Sequence, residues 1–413
     1  MLMSIIRDLK PPPGVVRVLA ASNLARTIGQ GFVVAASVLF FTRSVGIGAA
    51  DVAFGLAIAS AAGMAVSVLG GHAADVLGPR RMAMVFISIQ GLAISGYVVV
   101  GGFVSFVVAA SVVMMADASG NAARGAVIAA AIPAEHRVAS RAYLRSVTNI
   151  GLSFGILLGG VALASNHRTM YVVMLLASGC LFIAAALIYL LAPPVPTVAR
   201  PPKEERRSIL SDRPILVIAV LNAVLVMNDG LLTVALPLWI VERTEAPPAT
   251  YAGLLVVNTI MVVLFQVRVS RGAEDVPSGA KAMRRAGVLF AICCGIFALA
   301  AGQPMWIALV CLAAGTLVHV VGELLYAAGQ WALSFGLAPE HAQGQYQGLF
   351  GLTTKLGSTL APAITAVLIL GWGWPGWLLF GASLLLAGIC VPPMARWALR
   401  TRERESEPAT IAA

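Results

Sequence analysis

The sequence predicts an all-α membrane protein of twelve transmembrane helices, arranged as two pseudo-symmetric six-helix bundles. Three observations predict it. The 413-residue chain is 59% apolar and only 11% charged, whereas a typical soluble domain is roughly 25% charged. Twelve apolar stretches are each long enough to cross ~30 Å of hydrocarbon at ~1.5 Å per helical residue. The second half of the chain also repeats features of the first.

The twelve expected spans are 15–40, 51–74, 82–101, 103–131, 143–165, 170–192, 214–240, 248–270, 282–301, 304–336, 346–370 and 374–395. Their Ala/Gly/Val-rich texture suits closely packed membrane helices rather than the alternation of a barrel. One long polar interruption, 193–213, separates six spans from six. The expected domains are therefore 1–192, a cytoplasmic linker 193–213, and 214–413 with a short tail. Pro11-Pro12-Pro13 precedes a first span too long and too polar for a signal-peptide core, so no cleavable signal is expected.

The formal charge of +10 raises the question of nucleic acid, but its placement answers it. With the N-terminus in the cytoplasm, 23 of the 28 Lys and Arg fall on inside segments. Arg43, Arg168 and Arg243 lie outside, and Arg26 and Arg124 lie within spans. This asymmetry puts both termini in the cytoplasm of a cell (inner) membrane protein, and the basic balance reads as topology rather than nucleic-acid affinity. All five cysteines fall inside spans with no metal spacing and read as small packing residues.

The internal repeat has an offset of 199 residues: Asn23 falls on Asn222, Gly31 on Gly230, Ala36 on Ala235 and Leu39 on Leu238. A second match joins Ala134-Glu135-His136 to Pro339-Glu340-His341. Such a repeat implies two parallel bundles related by an axis along the membrane normal.

Between spans 2 and 3 stands Gly71-His72-Ala73-Ala74-Asp75-Val76-Leu77-Gly78-Pro79-Arg80-Arg81. Here Gly lets helices approach, Asp caps or pairs at the surface, and a Gly-Pro turn leads to two arginines. The segment resembles the loop signature of the major facilitator superfamily, G-x-x-x-D-R-x-G-R-R. Asp75, Gly78 and Arg81 keep the signature, whereas Val76 and Pro79 depart from it. In span 5, Gly151, Gly155, Gly159 and Gly160 form a stripe of small residues that packs helices closely. The stripe also resembles the antiporter element G-x-x-x-G-P-x-x-G-G, with Ile156 where Pro is usual. Overall the chain is most similar to the twelve-span drug:proton antiporters of that superfamily. The resemblance implies a central cavity between the bundles and alternating access. It also implies a cytoplasmic latch of Gly71, Asp75, Gly78 and Arg81, which Arg124 can join.

Ionisable groups in hydrocarbon are costly and so are functional candidates. Span 1 carries Asn23, Arg26, Thr27 and Gln30 on one helical face. Span 4 has Asp117, Asn121 and Arg124; span 7 has Asn222 and Asp229; span 10 has His319, Glu323, Tyr326 and Gln330. Depth along the spans pairs Arg26 with Asp117, either as a transport element or as a fixed tie between two helices. Asp229 and Glu323 have no cation at helical spacing, and burial without a counter-ion favours the neutral carboxyl, as a proton carrier requires. The expected proton-coupling set is thus Asp229, Glu323, Asp117 and His319. The expected cavity set is Asn23, Arg26, Gln30, Asn121, Asn222, Tyr326 and Gln330. Three acids against two arginines favour cationic or neutral lipophilic substrates. Trp372, Trp374 and Trp377 read as an interfacial belt.

The expected function is proton-coupled export of small lipophilic or cationic compounds, with uptake of a small metabolite as the alternative. No GxSxG, HExxH or Walker sequence appears, so enzymatic activity is not expected. The expected partners are a small-molecule substrate and the bilayer, with no nucleic acid, no metal, no cofactor and a monomeric state.

Overall fold

A computed structural model describes residues 14–163, 167–193 and 208–406. Most of the expected linker, 194–207, lies outside the described residues, as do Arg7 and Lys10. The helices are α1 (Val15–Leu39), α2 (Ala49–Leu77), α3 (Pro79–Gly96), α4 (Phe103–Ala131), α5 (Ala134–Leu163) and α6 (Arg168–Ile188). They continue as α7 (Arg213–Leu225), α8 (Leu236–Arg243), α9 (Ala249–Ser270), α10 (Val276–Leu299), α11 (Met305–Gly336), α12 (Gln343–Thr365) and α13 (Trp374–Ser406). Among the described residues, eleven helical stretches are long and apolar enough to span a bilayer. The helix outside that set is α5, which carries most of the expected fifth span, 143–165, but begins earlier, with Glu135, His136, Arg137, Arg141 and Arg145 in its first turns.

The chain forms two compact units, one of Met1–Pro202 with Pro339–Leu352 and one of Lys203–Ala338 with Thr353–Ala413. In unit 1, α1 packs on α5 and α6, α2 on α4, and α3 on α4 and α6. In unit 2, α7 packs on α13, α9 on α11, and α10 on α11 and α13. With α7–α8 counted as one span, each of these unit 2 pairings has its counterpart in unit 1.

Small residues make the close approaches possible. A Cβ on Gly31 would lie 2.7 Å from the backbone of Gly155 and Ile156, and one on Gly230 would lie 2.9 Å from the Ala361 side chain. Gly151 faces Thr27 in the same seam, and Gly159 faces Ala35 and Met174. Gly160 has nothing within 4 Å of its would-be Cβ and is exposed, so it does not belong to the packing stripe. Hydrogen bonds repeat as well. Asn23 Nδ2 donates to Thr148 Oγ1 at 2.7 Å, and Asn222 Nδ2 donates to Thr354 Oγ1 at 3.1 Å.

Each unit also buries aromatic rings. Phe41 stacks edge-on against Tyr97 (5.0 Å) and lies 4.4 Å from Phe106. In unit 2, Trp239 meets Trp377 at 5.5 Å and donates its indole N–H to Phe297 O at 2.9 Å. Trp377 is fully buried, while Trp372 and Trp374 are over half exposed. The expected belt is therefore corrected: Trp377 is drawn into the packing against Trp239 and Phe297, while Trp372 and Trp374 keep exposed positions around the bend at Gly373.

In the loop before α10, Asp275 caps the helix: its Oδ1 accepts from Ser278 N at 2.7 Å, and the Ser278 hydroxyl donates to the same carboxylate. The Ser278 hydroxyl and backbone bonds hold the Asp275 carboxyl below its ordinary value of 3.8. The cap's contribution is therefore complete above the unfolded-chain value and fades as pH falls through the lowered native value. Asp275→Ala is expected to cost about 0.5–2 kcal/mol at pH 7. Thermal unfolding of both proteins should show that deficit at neutral pH and a smaller one near pH 3.

Candidate functional site

In unit 1 the polar residues converge on Asp117. Arg26 Nη1 lies 3.9 Å and Arg124 Nη2 4.0 Å from Asp117 Oδ1, and Gln90 Nε2 donates to the same oxygen at 3.3 Å. Arg26 Nη2 also donates to Asn23 Oδ1 at 3.3 Å, and Arg141 Nη2 to Asn121 Oδ1 at 3.2 Å. The Arg26–Asp117 pairing expected from span depth thus exists as part of a larger cluster. Helical geometry explains its assembly. Arg26 lies one turn beyond Asn23 on α1, and Asp117, Asn121 and Arg124 share one face of α4.

The cluster is unequally buried. The side chains of Arg26 and Arg124 are 11% and 12% exposed, whereas Asp117 is 43% exposed. Asp117 opens onto a cavity of about 270 Å³. Gln30, Ser37, Gln90, Tyr97 and Asp117 bring polar groups to its lining, and Val33, Val34, Val38, Phe41, Leu56, Ile94, Phe106, Val113 and Met114 line most of the rest.

In unit 2 the expected cavity residues bind one another. Asn222 Nδ2 donates to Thr353 Oγ1 at 3.2 Å as well as to Thr354, and Tyr326 OH donates to Asn222 Oδ1 at 2.9 Å. Gln330 Nε2 donates to Thr354 Oγ1 at 2.8 Å. Asn222 and Tyr326 are buried, so they tie α7, α11 and α12 together. Glu323 Oε2 accepts from Asn258 Nδ2 at 3.0 Å. One turn earlier on α11, buried His319 places Nε2 3.3 Å from Asn228 O. Asp229 is exposed and follows a 3-10 turn at Val226–Asn228, with a π-helical stretch at Leu231–Ala235 just beyond. Such interruptions concentrate at functional hinges.

The loop signature is also built in unit 1. Gly78 has φ +96°, a conformation that favours glycine, where α2 ends. Asp75 Oδ1 and Oδ2 accept the N–H groups of Gly344 and Gln345 at 2.6 and 2.9 Å, at the first turn of α12. This places a negative charge where the helix dipole favours it. Gly71 lies against Gly344 so closely that neither position has room for a side chain. Arg80 rather than Arg81 makes the anchoring contacts, donating to Tyr189 O and Leu190 O at 2.9 Å each. Arg81 is exposed.

Spacing along single helices missed Gln90, Asn258, Arg141 and Arg80. Gln90 and Asn258 are uncharged amides on spans 3 and 8, outside the stripes built around ionisable groups, and the amides themselves amid apolar sequence were the available signal. Arg141 and Arg80 were counted as cytoplasmic topology charges.

The sequence pattern of the Major Facilitator Superfamily matches residues 19–353. The chain belongs to the major facilitator superfamily. No curated protein sequence matches it. Solved structures of other superfamily-fold transporters resemble it at low identity. A bacterial homologue of the iron transporter ferroportin in an outward-facing state superposes with a TM-score of 0.71 at 16% identity, covering 94% of this chain and 99% of that one. The E. coli fucose:proton symporter FucP gives 0.71 at 12%, covering 93% and 98%. The human organic anion transporter MFSD10 (TETRAN) gives 0.67 at 13%, covering 92% and 100%. At these identities the likeness establishes the fold alone. Membership makes the chain a multi-pass transporter that works in the bilayer on a small-molecule substrate.

Proposed function

We propose that the chain is a proton-coupled secondary transporter that exports small lipophilic compounds, as a drug:proton antiporter does. In this reading twelve spans form two six-helix halves in the cell membrane with cytoplasmic termini, rocking as a monomer about a central site with no cofactor. The observation that carries it is the apolar chamber ending on half-exposed Asp117. An apolar body gains roughly 25 cal/mol per Å² of surface buried in such a chamber, and the polar groups of the lining orient it. Glu323 and Asp229 carry the proton, with His319 beside Glu323. Asp75 and Gly71 form the cytoplasmic latch with the start of α12, where Asp75 already holds two backbone N–H groups.

A second reading, proton-coupled uptake, is favoured by one observation. Unit 1 gathers Arg26 and Arg124 around Asp117, with Arg141 on the neighbouring Asn121, which brings the expected three acids against two arginines to three against three. Inverted vesicles separate the two readings. Export predicts that lipophilic compounds accumulate in the lumen when the lumen is acidic. Accumulation only when the lumen is alkaline supports uptake by symport, and no movement of any compound in either gradient contradicts both.

A further inference from the structure

We propose that the chamber takes small uncharged compounds, an apolar ring body bearing a hydroxyl or amide N–H, and that Asp117 recognises that donor. This rests on the reading of the chamber as the substrate site and names the class of compound it takes. Every contact of the Asp117 carboxylate converges on one oxygen. Arg26 Nη1, Arg124 Nη2 and Gln90 Nε2 approach Oδ1 at 3.9, 4.0 and 3.3 Å. Among the described residues, Oδ2 has no such partner. The side chain is partly exposed and belongs to the chamber lining, so Oδ2 is the oxygen left for a ligand. An ionised carboxylate only accepts hydrogen bonds, and the group it meets must therefore donate. Gln90 adds to this bias in the same wall: its N–H goes to Asp117, and its Oε1 is buried with no partner.

Donors come as cations or as neutral groups, and the arginines decide between them. Arg26 and Arg124 are largely buried and set two positive charges behind one carboxylate. A cationic head at Oδ2 would meet one attraction and two repulsions, and it would lose its hydration as well. A hydroxyl or amide loses far less on leaving water, and its hydrogen bond is strengthened by the charge on the acceptor. The rest of the lining sets the body. Phe41 lies against Tyr97 and Phe106, with ring centroids 5.0 and 4.4 Å apart, and all three line the chamber. Such a wall suits a flat ring. At about 270 Å³ the chamber falls just below the ~300–1,000 Å³ of drug-sized pockets, so the body is small.

The test uses full-length protein in detergent and three probes with one ring system: 1-naphthalenemethanol, its methyl ether and 1-naphthylmethylammonium. The ether keeps the oxygen and loses the donor, and the ammonium keeps the donor and adds charge. Isothermal titration should give the alcohol the lowest Kd, by about tenfold over the ether. Asp117→Ala should abolish that difference while ether binding stays within about twofold. Met114→Trp, which fills the lining without touching the cluster, should weaken alcohol and ether alike. Size-exclusion profiles and thermal unfolding show whether each variant is folded, and the wild-type ranking stands without any variant. Equal binding of alcohol and ether overturns the donor requirement, and tighter binding of the ammonium overturns the neutral class. In both of those cases a loss in Met114→Trp leaves the chamber as the substrate site. Failure of all three probes to bind, or binding that Met114→Trp does not change, overturns the inference together with the reading of the chamber.

Discussion

Glu323→Gln is expected to remove gradient-driven transport almost entirely, by about 10²-fold or more, while substrate binding survives. The amide keeps the size of the carboxyl group and one acceptor oxygen, so the Asn258 amide, which now donates to Glu323 Oε2 at 3.0 Å, retains a partner. It cannot lose or gain the proton, which is the property the proposal assigns to this residue. Asp229→Asn should behave in the same way. Asp229 follows the 3-10 turn of span 7 in a stretch whose backbone leaves regular α geometry on both sides. Transport driven by an imposed pH gradient and equilibrium binding of the same compound, measured side by side, separate coupling from recognition. Asn258→Ala should give a partial loss, since it removes only the group that orients Glu323. If both carboxamide variants still concentrate substrate against its gradient, proton coupling through these acids is wrong.

The second large effect is structural. Gly31→Leu should prevent accumulation of folded protein. The first atom of the new side chain would fall 2.7 Å from three backbone atoms of Gly155 and Ile156, which cannot rotate away as a side chain could. Inserting even one methylene into a close-packed seam costs about 1–3 kcal/mol, and here α1 must separate from α5. Gly160→Leu provides the matched control: it adds the same side chain on α5 with nothing within 4 Å of its Cβ. Expression, size-exclusion profile and thermal unfolding of the pair should show Gly31→Leu lost and Gly160→Leu near wild type. A well-folded Gly31→Leu protein would mean that the seam between α1 and α5 is looser than described.

The spans were legible in the sequence because hydrocarbon imposes one requirement, a long apolar run, that local sequence alone must meet. The helices run past the apolar runs for a different reason. Hydropathy stops at the first charges, but α3 starts at Pro79 beside Arg80, and α5 starts at Ala134 ahead of three arginines. Nothing in water ends a helix merely because its surface becomes charged. The offset of 199 residues also marked real packing, since Gly31 and Gly230 both occupy tight seams and Asn23 and Asn222 both bond a threonine.

Periodicity along single helices picked out some of the residues that the structure brings together. It finds residues that share a face of one helix, and so it found Arg26, Asp117 and Glu323. It is blind to a partner that stands alone on another helix, and so it missed Gln90 and Asn258. It also cannot decide between a polar residue that faces a cavity and one bonded to a neighbouring helix. Asn222 and Tyr326 had the spacing of cavity residues but are joined to each other at 2.9 Å. The charge balance shifted for the same reason, because Arg141, a topology charge in sequence, bonds Asn121 in the structure.

The most direct test of proton-coupled export is proton movement itself. Purified protein would be reconstituted into vesicles carrying a lumenal pH dye, and a lipophilic compound bound by the wild-type protein would be added outside with no imposed gradient. The account predicts that compound entering through the protein drives protons out, so that the lumen becomes alkaline, and that Glu323→Gln vesicles show no such change. A lumen that acidifies as the compound enters, or a pH that stays constant while the compound crosses, would contradict it.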